Sequence, residues 1–121
     1  MHYLFAHGTL KQAGRNSGLI AGATLRGHAG TIEDYALFII KNKPVVTRRP
    51  VTKIKGEVYS VTEEMLTLVD RFQGHPRINK RELVPVKLQD GSSVEAWIYF
   101  HIQPLRDSVL VESGVYIEPK S

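Results

Sequence analysis

The chain contains no cysteine. That excludes disulfides, a thiol nucleophile and a cysteine zinc site, and it is the composition expected of a protein in a reducing interior. No apolar run approaches the ~20 residues a membrane helix needs. The opening stretch MHYLFAHGTL has no basic region before its apolar part and no small-residue cleavage pattern, so no signal peptide is expected and the location expected is cytoplasmic. There is no G-x-S-x-G elbow and no dinucleotide fingerprint around Gly27 and Gly30. The five histidines, His2, His7, His28, His75 and His101, show no metal-ligand spacing. No metal and no cofactor are therefore expected.

Charge of one sign is also not concentrated. Sixteen basic and 12 acidic residues give a net +4, spread over small clusters at Lys41/Lys43, Arg48/Arg49 and Lys80/Arg81. A nucleic-acid reader gathers such charge on one face. Neither a nucleic acid nor a membrane is expected as partner, while a small anionic ligand suits the charge. The sequence does not speak to oligomeric state.

The 121 residues, 42% apolar and 23% charged, suffice for one domain spanning 1–121 with its own core. Residues 2–7, HYLFAH, read as a strand ended by Gly8. Residues 8–18 read as a loop, and 22–40 hold two strand candidates around the glycines. A short strand, VVT, follows the turn at 42–44 and is expected to end at Arg49-Pro50. Residues 53–61 alternate without a purely apolar face, as in a barrel strand buried on both sides. One helix is predicted over 62–71. Thr62 is its N-cap, Glu63 and Glu64 favour the dipole, and Met65, Leu66, Val69 and Phe72 form its core stripe. Asp90-Gly91 between two apolar runs marks a hairpin, and Pro85 puts its strand at an edge or beside a bulge. The tail mixes a possible short helix with a last extended segment. The fold class is α+β, a small mixed barrel-like sheet of six or seven strands with flanking helices.

Three stretches bear on chemistry. HGTL, residues 7–10, follows the first strand, where a sharp turn aims successive N–H groups at one spot and so binds carboxylates or oxyanions. Glu57 lies in mid-strand, in GEVYSV, and is expected on the exposed face. LVDRFQGHP runs from the helix into a loop that carries Gln73. On residues alone, Gln73 reads first as a cap on the helix end, and Arg81 as one half of a surface ion pair.

Taken in order, YLFAHGTLKQAGRN, IKGEVYSVTEEMLTLVDRFQGHPRINKR and VEAWIYF resemble the γ-glutamylcyclotransferase-like family, over residues 2 to about 100. The resemblance implies a small mixed barrel with flanking helices and a small-molecule γ-glutamyl-type ligand. It implies a reaction in which the α-amine of a γ-glutamyl group attacks its own γ-carbonyl, releasing an amine and 5-oxoproline. One carboxylate can carry the proton at both stages. The resemblance assigns Gly8, Thr9 and Leu10 to substrate binding, with His7, Glu57, Asn79 and Arg81 beside them. It puts Gln73 where the family has its catalytic glutamate.

Three positions depart from the family pattern: His7 and Asn79 each replace a tyrosine, and Gln73 replaces the glutamate. An amide keeps the shape and hydrogen bonds of the acid but cannot exchange a proton near neutral pH. Three functions follow. The chain is a binding protein with little or no cyclotransferase activity; or an enzyme with a substitute base in His75, His7 or Glu57; or an interaction module with a vestigial pocket. A glutamine introduced to trap a complex would change one residue, whereas three depart.

Overall fold

The computed structural model describes residues 1–119. Eight strands and one α-helix follow in the order β1 (His2–Ala6), β2 (Thr24–Thr31), β3 (Tyr35–Ile40), β4 (Lys43–Thr52), β5 (Lys55–Val61), α1 (Glu63–Gln73), β6 (Asn79–Leu88), β7 (Ser93–His101) and β8 (Ser108–Leu110). A single 3-10 turn, Ser17–Ile20, lies between β1 and β2. The strands run β1-β5-β2-β6-β7, and β7 returns to β1 through Leu4 opposite Trp97, which closes a five-stranded barrel. Beyond Trp97, β7 pairs with β4 through Phe100 and Val46, so β4, β3 and β8 continue the sheet as an arm.

Alternation along the strands gives two cores. Phe5, Val58, Val84, Val86, Ala96 and Ile98 pack together with Leu37 and Val46 of the arm. On the opposite face Leu4, Ala6, Tyr59, Val61 and Tyr99 pack against Leu66 and Val69 of α1 and Leu10 of the first loop. Thus β5 is buried on both sides, as its lack of a polar face requires.

Local signals set the helix and hairpin. Thr62 Oγ1 accepts the N–H of Met65 at 3.1 Å, and Gly74 ends the helix at φ +68°, where a glycine costs least. Asp90-Gly91 closes the hairpin, with Gly91 at φ +92°. The helix runs two residues past its expected end and takes in Gln73.

Two expectations are corrected. Phe72 is 46% exposed, because the inward face of α1 runs through the buried Leu66 and Val69, and Phe72 stands with the half-buried Met65 at the edge of that face. β4 does not stop at Pro50 but continues to Thr52. Its ladder with β3 jumps from Ala36–Thr47 to Tyr35–Thr52, and Pro50 sits in that bulge, where no ladder donor is required. Pro85 is handled similarly: β6 is an inner strand, but its pairing with β2 ends at Val86, and the Pro85 carbonyl accepts the N–H of Ile32 just past the end. The tail forms β8 and no helix among the described residues.

Candidate active site

The helix runs alongside β1 in the same sense. Glu63, at the start of α1, bonds Nε2 of His2 at the start of β1. Seven residues on, Asp70 accepts the Tyr99 hydroxyl at 2.6 Å, and Tyr99 shares a core with Ala6 and Leu10. The end of β1 and the end of α1 therefore meet at one end of the barrel. The 7–10 loop leaves from the first and Gln73 from the second.

The loop folds on itself. Lys11 N–H reaches the Gly8 carbonyl at 3.1 Å, Asn16 N–H reaches the Thr9 carbonyl at 3.0 Å, and Asn16 Nδ2 holds Thr9 Oγ1 at 2.8 Å. Leu10 anchors it in the helix-side core. The amides of Gly8, Thr9 and Leu10 donate to no acceptor among the described residues. Three successive N–H groups beside a helix end form a ready anion cradle.

Glu57 is not on an exposed face, as expected from sequence, but 6% exposed beneath this loop. Its Oε1 accepts the Gln12 N–H at 2.7 Å and the Tyr59 hydroxyl at 3.1 Å. Burial, then the neighbouring Glu57 charge, push the Tyr59 hydroxyl up to about 12. A carboxylate inside a strand is tolerated here because the loop backbone supplies a donor. Glu57 therefore ties the cradle's loop to β5.

The helix end carries a second polar cluster. Asp70 Oδ1 accepts Arg81 Nε at 2.8 Å as well as Tyr99, with both members of the ion pair 20% exposed. The Arg81 guanidinium lies 4.2 Å from the centre of the Trp97 ring, and Trp97 Nε1 donates to His2 Nδ1 at 3.3 Å. Arg81 spends only Nε on Asp70, so its terminal nitrogens remain without a partner among the described residues. Burial, then the bond to Asp70, raise the Tyr99 hydroxyl far above its ordinary value.

Asn79 Nδ2 donates to the main-chain carbonyl of Gln73 at 2.8 Å. Its Oδ1 faces His101 Nδ1 at 3.0 Å. The Gln73 side chain is partly buried and makes no hydrogen bond among the described residues. It does not cap the helix; Gly74 does.

The histidines near the site differ in what they can do. His75 Nδ1 accepts the Arg81 N–H at 3.2 Å, so its ring lone pair is already in use. His7 Nδ1 is buried with no partner among the described residues. Burial, with the Lys11 charge adding, pushes His7 down to about 4, which keeps it neutral and weakly basic. Sequence reasoning singled out neither His101, nor Asp70, nor Tyr99. The hairpin register held a signal for the first: centring the turn on Asp90 puts Asn79 opposite His101.

A cavity of ≈ 610 Å³ opens on the other side of the loop, along β2, β5 and β6, with Lys11, Gln12, Glu57, Lys55 and Lys87 in its walls. No residue of 72–76 lines it, so it is not a pocket between the two loops. Among the described residues no helix is long and apolar enough to cross a membrane, and no group of three or more acidic or histidine side chains could hold a metal.

Comparison with known proteins gives this arrangement its kin. A protein of Methanocaldococcus jannaschii, named as a candidate gamma-glutamylcyclotransferase, is 35% identical over 117 residues, which is 96% of each chain. The gamma-glutamylaminecyclotransferase of Rattus norvegicus is 30% identical over 82% of this chain and 77% of its own. The crystal structure of an AIG2-like protein from Mus musculus superposes with a TM-score of 0.79 at 26% identity, covering 99% of this chain and 97% of that one. The family model for gamma-glutamyl cyclotransferase, AIG2-like, matches residues 4–118. The first loop, the helix end and all of the barrel beyond Tyr3 fall inside that match, and the chain belongs to the gamma-glutamyl cyclotransferase, AIG2-like family.

Proposed function

We propose that this chain binds a small anionic ligand of γ-glutamyl or 5-oxoproline type and turns it over weakly or not at all. The observation that carries the proposal is the row of free amides at Gly8, Thr9 and Leu10, at the barrel end where α1 delivers Gln73. The amides suit a carboxylate or the oxyanion of acyl transfer. Arg81, whose terminal nitrogens have no partner among the described residues, adds positive charge beside Asp70 on the helix that carries Gln73. Gln73, taken as standing at the family's glutamate position, offers shape without a transferable proton. Losing general acid–base catalysis costs about 10²–10⁴-fold.

The substitute bases weighed from sequence have less support. His75 has its lone pair engaged, Glu57 holds the loop, and His7 is weakly basic. The test is to restore the acid. Gln73→Glu should raise release of 5-oxoproline from γ-glutamyl amines or peptides by at least about 100-fold over wild type. Calorimetry should detect 5-oxoproline binding to both proteins. No binding to either, with no gain in the variant, would reject the proposal.

A further inference from the structure

From the geometry around Asn79 we infer that His101 Nε2 is the proton carrier for the residual cyclisation, with Asn79 as its positioning residue. The inference rests on the reading of the site just given.

The amide of Asn79 can be oriented in only one way. Its nitrogen must face the Gln73 carbonyl at 2.8 Å, since two oxygens would not bond there. Its oxygen then faces His101 Nδ1 at 3.0 Å, so Nδ1 must carry the hydrogen. The neutral ring is left with its lone pair on Nε2, and no described residue occupies that atom. An acceptor that holds a histidine by Nδ1–H and frees Nε2 is the arrangement used by histidine bases.

Location supports the role. Asn79 and His101 are direct partners across β6 and β7. His101 lies two residues beyond Tyr99, on the same face. That face carries Leu10 of the cradle and Asp70 of α1. The ring is thus joined through one side chain to Gln73 and lies one strand step from the core beneath the cradle. It is half-buried, and burial lowers its pKa below the ordinary histidine value, so Nε2 is unprotonated at neutral pH. The other titratable groups at this end are the Asp70–Arg81 pair, Tyr99 on Asp70, His75, His7, Lys80 of β6, and Arg48 of β4 over the Phe100 ring.

The substrate's α-ammonium loses one proton to solvent. The free amine attacks the γ-carbonyl, forming the ring C–N bond and an oxyanion. His101 Nε2 takes a second proton from the same nitrogen. It delivers that proton to the departing nitrogen as the old C–N bond breaks, giving 5-oxoproline and a neutral amine, which then takes a proton from solvent.

The experiment measures 5-oxoproline release from γ-glutamyl-p-nitroanilide and a γ-glutamyl dipeptide by the full chain, across pH 5–8. His101→Gln should lower kcat by about 100-fold with KM changed less than about three-fold. In wild type, kcat should rise with pH as His101 and the substrate's α-amine lose their protons. Asn79→Asp places a carboxylate on Nδ1–H, raises the His101 pKa and should move that rise to higher pH; a merely structural Asn79 would not move it. In Gln73→Glu, rates should no longer depend on His101. An unchanged kcat in His101→Gln, an unmoved profile in Asn79→Asp, or no turnover by a wild type that binds 5-oxoproline overturns the role of His101 and leaves the binding proposal standing. Absence of 5-oxoproline binding overturns the binding proposal instead.

Discussion

Asn79 holds the main-chain carbonyl of Gln73 at 2.8 Å and so fixes the last turn of α1 to the first residue of β6. The helix end is registered by a side chain six residues on, across the turn begun by Gly74. Removing the amide leaves a partly buried carbonyl and the His101 N–H without partners. Asn79→Ala should cost about 1–2 kcal/mol in urea denaturation. Asn79→Gln, whose longer chain cannot keep both contacts at once, should not recover it.

Glu57 lends itself to a similar separation of shape from charge. Its Oε1 receives both hydrogen bonds, an arrangement that an amide oxygen reproduces. Glu57→Gln should keep 5-oxoproline affinity within about three-fold. Glu57→Leu, which strands the Gln12 N–H and the Tyr59 hydroxyl, should weaken affinity by about ten-fold and speed exchange of the Gln12 amide hydrogen. Equal loss of turnover in both variants would point to a proton-carrying Glu57.

Acid should weaken the fold through His7. Burial holds the folded ring at about 4, below its ordinary value of 6.5. Between these values the unfolded chain binds the extra proton, so stability is complete above about pH 6.5 and falls as pH drops toward 4. The loss is on the order of 3–4 kcal/mol at most, at about 1.4 kcal/mol per pH unit. Burial lowers His101 as well, in the same sense. Denaturation of wild type and His7→Phe at pH 7 and pH 4.5 should show a smaller acid loss in the variant.

The cradle also has a steric requirement. A Cβ on Gly14 would lie 2.3 Å from the Thr9 carbonyl oxygen and 2.8 Å from that of Lys11. Neither oxygen can retreat without breaking the turn that shapes the loop. Gly14→Ala should abolish 5-oxoproline binding in calorimetry, while Gly18→Ala, which meets nothing within 4 Å, should leave it unchanged.

What the sequence made legible was local. Thr62 announces the helix start, Asp90-Gly91 the hairpin, and the double burial of β5 is visible in its lack of a polar face. The misreadings concern residues whose environment is assembled from distant chain. Glu57 looks exposed because the donor that justifies its burial belongs to Gln12, 45 residues away. Phe72 continues the apolar periodicity of α1, yet it stands at the edge of the face that Leu66 and Val69 bury, and the sheet contacts go to Asp70 and Gln73 instead. Pro50 looks like a strand terminus until the bulge opposite Tyr35 and Ala36 accommodates it. At the site, the Gly-Thr-Leu turn was readable as a set of amides. The Asp70–Arg81–Tyr99 cluster was not, since it joins α1, β6 and β7 through side chains.

Trp97 is the one tryptophan of the chain. Its ring lies under the Arg81 guanidinium, and Arg81 is bound to the helix that bears Gln73. The molecule therefore contains its own optical reporter. On the proposed reading, an anion drawn to Arg81 would alter the charge above the indole, and the emission of this single fluorophore should report its binding without any label.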